Sequence, residues 1–109
     1  MNFEDKAYQF AAAFQGVKTK GSTPTVKYLK EMQFAGKPII GKYRSYRIPI
    51  VKWDIWDRIW VLKSLTSAQQ WANLCHEMSH ALDARQGRDK SETKAEACER
   101  AAYEAGIPA

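Results

Sequence analysis

Residues 66–87 hold the longest helical pattern in this 109-residue chain, and both of its histidines lie inside it. Trp71, Leu74, Cys75, Met78 and Leu82 recur at the three- and four-residue steps of one helix face. Thr66 with Gln69, or Ser67 with Gln70, can cap the start, and Gly87 stops the run. Positions 76–80 read His-Glu-Met-Ser-His. At 3.6 residues per turn, His76 and His80 stand one above the other and can reach a common point, as two ligands of a tetrahedral Zn²⁺ must. Glu77 is turned one residue away, outside the ligand set. There its carboxylate can take a proton from a bound water and return it to a leaving amine. Two randomly placed histidines four apart, with a Glu after the first, arise about once in a thousand such chains.

A zinc hydrolase of this kind needs a third protein ligand. An extended motif with Gly and a third His is excluded, because Asp83 and Gln86 occupy those places. A following helix offers Glu92, Glu96 and Glu99 instead. For an antiparallel helix hairpin centred near residue 88, His80 faces position 96 and His76 faces position 100. Glu96 is therefore the expected ligand, with Glu99 as reserve or as acceptor for an imidazole N–H. Glu92 reads as the acid of a capping box with Asp89. Asp83 is expected either to orient a ligand or line the cleft, or to be a plain surface acid. Tyr103 is expected in the core, and Cys75 and Cys98 as buried thiols rather than ligands.

The rest of the chain predicts an α+β fold. Phe3, Ala7, Phe10 and Phe14 give a helix over 3–14 ended by Gly16, and Pro24, Val26, Leu29 and Met32 give a second over 24–34. Alternation predicts a strand over 43–53, a turn at 54–57 and a second strand over 58–63, paired antiparallel. Asp89 is expected to cap the last helix, which Gly106 and Pro108 end. No run of apolar residues is long enough for a membrane span, and 2-NFEDKAYQFAAAF-14 lacks the positive start and apolar core of an export signal, which points to the cytoplasm. A domain of this size gains usefully from a bound metal.

Charge is uneven along the chain. Residues 15–52 hold nine Lys/Arg against the single acid Glu31, whereas the chain as a whole is +5. With Tyr43, Tyr46 and Trp53 interleaved, this stretch reads either as a solvated basic face or as a surface for nucleic acid or another acidic partner.

The strand at 58–63, the segment 71-WANLCHEMSHALD-83 and Ala95-Glu96-Ala97 together resemble a minimal gluzincin-type zinc metallopeptidase. They are similar in style to ImmA/IrrE-like, SprT-like and ArdC-like domains, over about residues 45–105 of a single domain spanning 1–109. The resemblance implies a zincin-like fold, with a small antiparallel sheet or hairpin packed on the HExxH helix and a Glu-bearing helix, and with N-terminal helices. It implies Zn²⁺ held by His76, His80 and Glu96, and Glu77 as general base acting on a protein or peptide substrate. It also implies that an extended substrate adds to an edge strand, either 46–52 or 58–63. Arg47 and Lys52 on that rim would favour acidic or nucleic-acid-bound substrates. The alternatives are a zinc-stabilised binding module with little hydrolysis, which contacts nucleic acid through 15–52, and a metal-free basic DNA-binding domain.

Overall fold

The computed structural model describes residues 1–47 and 55–109. Their elements form an α+β fold of three helices and a small mixed sheet. Helix α1, Phe3–Gln15, starts at a reciprocal capping box between Asn2 and Asp5 and stops where Gly16 turns left-handed at φ 68°. Its buried face is mostly alanine (Ala7, Ala11 and Ala12), which lets it lie close against the central helix.

That central helix, α2, spans Ser67–Arg85. Thr66 caps it and exchanges hydrogen bonds with Gln69 in the first of the two capping boxes the sequence offers. Because α1, the sheet and the last helix all pack on it, α2 is buried nearly all round from Trp71 to Asp83. Trp71 anchors the three helices. The Phe3 and Phe10 rings meet it edge-on at 5.5 and 5.8 Å, and its indole N–H donates to the Ala102 carbonyl. Helix α3 spans Glu92–Ala105, and its cap is Ser91, whose Oγ accepts from the Lys94 N–H. The expected Asp89–Glu92 box is not formed, so the Glu92 side chain is released from capping.

The sheet departs further from expectation. Residues 24–34 are not a helix. Strand β1, Thr25–Leu29, pairs parallel with β5, Ile55–Leu62, placing Thr25 opposite Arg58 and Leu29 opposite Leu62. Val26 and Tyr28 alternate inward on β1, and this non-local pairing overrides the helical spacing of Val26 and Leu29. Strands β2, Gln33–Phe34, and β3, Lys37–Pro38, make a tight hairpin across Ala35 and Gly36. Both turn residues have positive φ, 54° and 76°, as a two-residue hairpin turn requires. Strand β4, Gly41–Arg47, pairs antiparallel with β5, as the sequence predicts for these two segments. The remainder of the expected strand, 48–53, lies outside the described residues. Of the predicted turn at 54–57, Asp54 lies outside the described residues and 55–57 belong instead to β5, where Asp57 continues the inward alternation with Ile59 and Val61.

The strand order is β1-β5-β4, so the sheet is mixed rather than purely antiparallel. Strand β5 is central, so 58–63 is not an edge, whereas among the described residues β4 is. A buried ion pair ties sheet to helix: Arg85 donates from Nε and Nη2 to both oxygens of Asp57, at 2.8 and 2.7 Å, and the Tyr43 hydroxyl adds a third bond. Cys75 and Cys98 are buried free thiols, as expected. Among the described residues, no helix is long and apolar enough to cross a membrane.

Candidate metal centre

Helix periodicity places His76 and His80 one turn apart on α2, their ring centroids 5.0 Å from each other. Both Nε2 atoms point at one carboxylate. Glu92 Oε1 lies 2.6 Å from His80 Nε2, and Glu92 Oε2 lies 3.3 Å from His76 Nε2. On the far side of its ring, His76 Nδ1 lies 2.7 Å from Glu99 Oε1. When Glu99 accepts the Nδ1 proton of a neutral His76, its Nε2 lone pair is directed at Glu92, and either a metal ion or a second imidazole proton between them satisfies both.

The donor set fits a divalent metal such as zinc. One ligand atom each from His76, His80 and Glu92 lies within 4.8 Å of the others. Donors at 2.0–2.2 Å in a tetrahedral shell are about 3.4 Å apart. The His76–Glu92 separation already matches this, and the closer His80–Glu92 contact opens by a small swing of the Glu92 side chain, which is 68% exposed. Desolvation holds His80 below its usual pKa, favouring the neutral form that ligates. At Glu92, desolvation pushes the carboxyl up, but the His76 and His80 charges and hydrogen bonds outweigh it and leave it below the ordinary carboxylate range.

Glu96 does not join this group. Among the described residues it has no ion pair with either imidazole and lines an adjoining cavity with His76, Glu99, Arg100 and Tyr103, so the carboxylate that the structure brings to both His76 and His80 is Glu92 rather than the expected Glu96. The reason is helical phase. Ala95, Cys98 and Ala102 form the stripe of α3 that packs on α2. At roughly 100° per residue, Glu92 and Glu99 fall on the flank of that stripe and Glu96 beyond them, toward solvent. Counting outward from the turn compared heights along the helices but not directions around them. A signal was present: Glu92 and Glu99 are seven residues apart and so share a face.

Glu77 is 6% exposed, and burial, with the nearby Glu92 and Glu99 charges opposing the favourable one of His76, pushes its carboxyl up to about 7. It lines a cavity of about 630 Å³ with His76, His80, Glu92 and Glu99. Phe34 and Pro38 of the β2–β3 hairpin, with Ile39 and Ile40 just after it, supply the apolar lining, and Tyr43 and Lys90 also line it. The sequence reading missed Asn73, one turn before His76. It is 5% exposed, lines the same cavity, and leaves its Oδ1 without a hydrogen-bond partner against Gly41.

Asp83 is neither a surface acid nor a cleft residue. Fully buried, it accepts from Arg88 Nε, the Ser91 N–H and Lys94 Nζ, and so clamps the α2–α3 turn that delivers Glu92. Tyr103, expected in the core, is 59% exposed. Compared with known proteins, the chain matches no family model, no curated protein and no solved structure.

Proposed function

We propose that this chain is a zinc-dependent metallopeptidase of zincin-like design, with His76, His80 and Glu92 as metal ligands and Glu77 as general base. One observation carries the reading: three ligand atoms from two helices converge beside a buried carboxylate at the floor of an open cleft. A Zn²⁺ ion bound there supplies Lewis-acid chemistry, making water acidic and polarising a carbonyl.

The chain's own residues do the rest. Glu99 holds His76 in the tautomer that leaves Nε2 free. Glu77, whose burial brings its proton affinity close to neutrality, takes a proton from the attacking water and gives it to the departing amine. Among the described residues β4 has one unpaired edge, and Gly41, Lys42 and Tyr43 of that strand line the cleft. An extended peptide substrate can add there, held by backbone hydrogen bonds.

The test is elemental analysis of the dialysed protein together with cleavage of a mixed peptide library. About one zinc per chain is expected in the wild type and in Glu77→Gln, with cleavage lost only in the latter. Undiminished cleavage by Glu77→Gln, or folded wild type that takes up no zinc, overturns the reading.

A further inference from the structure

The face of the sheet turned away from α2 meets the metal-centre cleft only at Lys42, and its composition is unusual. The register aligns it in cross-strand rows. Lys27 and Lys42 flank Trp60, Arg44 lies opposite Arg58, and Tyr46 lies opposite Trp56. The intervening residues Tyr43, Asp57, Ile59 and Val61 point the other way, into the core. Among the described residues, none of these four cations is paired with a carboxylate, and Arg58 Nε is buried without a hydrogen-bond partner. Two arginines directly opposed on neighbouring strands repel each other across the sheet.

Three of the four cations are held by rings. The Arg58 guanidinium sits 4.4 Å over Trp56, Arg44 lies 5.4 Å from the Tyr46 ring, and Lys42 Nζ is 3.3 Å above Phe34. Tyr46 and Trp56 touch, with centroids 5.1 Å apart, and form one platform that is 40% and 49% exposed, respectively. Along β5, Trp60 follows Trp56 by four residues, about 13 Å on the same face. Beside Trp60 a cavity of about 430 Å³ opens between Leu29, Phe34, Lys42 and Arg44, with Glu31 at its rim. That volume lies within the range of small-ligand pockets, roughly 300–1,000 Å³.

We infer that this sheet face binds single-stranded nucleic acid. Unpaired cations neutralise backbone phosphates, and exposed rings beside them stack on bases. Only an unpaired strand has bases free to stack, because a duplex keeps them inside, and a purely electrostatic site for duplex or acidic peptide has no use for the Tyr46–Trp56 platform. The inference does not rest on the metal centre, and it involves Trp56, Arg58 and Trp60, which lie outside the basic stretch 15–52.

The experiment is fluorescence anisotropy of a labelled twelve-nucleotide oligothymidine titrated with the full chain at several salt concentrations, with tryptophan emission read in parallel. Binding is expected with quenching of tryptophan emission and with preference over a duplex of equal length. Trp56→Ala weakens it about tenfold while Trp56→Phe retains it. Arg44→Ala with Arg58→Ala flattens the slope of log K against log salt by about 1.4, since each phosphate that is no longer neutralised accounts for about 0.7. Lys18→Ala with Lys20→Ala, away from this face, leaves affinity unchanged. Circular dichroism checks that each variant is folded. The inference is overturned if no oligonucleotide binds at low salt. It is also overturned if duplex or poly-glutamate binds equally well, or if Trp56→Ala binds like the wild type.

Discussion

Replacing Glu92 with Gln tests the proposed centre most directly, because the structure gives three neighbouring glutamates of α3 three different relations to the two imidazoles. Glu92 faces both Nε2 atoms, Glu99 touches only His76 Nδ1, and Glu96 touches neither. At free zinc about a hundredfold above its Kd, the wild type gains about 2.7 kcal/mol. For a domain of this size that raises Tm by roughly 10–20 °C. Loss of a carboxylate behind a ligating histidine weakens metal affinity roughly 10–100-fold. At the same zinc concentration Glu99→Gln therefore retains about 0.4–1.4 kcal/mol. Glu92→Gln removes a ligand itself and should retain less than that, while Glu96→Gln should keep the full increment. Scanning calorimetry with and without zinc reads these increments within each variant, so changes in the metal-free protein cancel. If Glu96→Gln loses the increment and Glu92→Gln keeps it, the phase argument is refuted and the simple count from the turn is restored.

Two further substitutions test how the fold holds the site. Asp57→Ala strands the Arg85 guanidinium, whose side chain is 11% exposed against 2% for Asp57, and should cost about 3–5 kcal/mol in urea unfolding. A loss below about 1 kcal/mol would mean that the pair is open to water. Gly41→Ala drives a Cβ into Asn73 Oδ1 and to 2.9 Å from its Cγ, so the buried amide must change rotamer. About 1–3 kcal/mol should be lost and largely regained in the Gly41→Ala, Asn73→Ala double variant. Additive losses in that double-mutant cycle would show that the two residues do not collide.

Local signals were legible wherever one segment settles its own conformation. The Thr66–Gln69 box, the apolar stripe and the i, i+4 histidines lie within single turns of α2, so position along the chain is enough to place His76, Glu77 and His80. Helix α1 was legible for the same reason, through its periodicity and Gly16. Segment 24–34 was not, because Val26 satisfies both a helical and an alternating pattern. Only β5, more than thirty residues away, offers the backbone partners that make it a strand.

The metal centre divides along the same line. The two imidazoles and the neighbouring carboxylate follow from the periodicity of one helix, set by hydrogen bonds that span four residues, and the chain alone determines them. Which glutamate meets them was decided in three dimensions. Asp83 clamps the turn, Ser91 rather than Asp89 caps α3, and the Ala95–Cys98–Ala102 stripe sets the rotation that turns Glu92 toward the imidazoles and Glu96 away from them. The basic, aromatic sheet face has the same origin: its cations and rings come from three strands, β1 lying more than thirty residues from its partner β5, and only strand pairing brings them onto one surface. A helix carries its own geometry in its repeat, whereas the meeting of two segments depends on loop conformation, packing and side-chain reach, which no single segment encodes.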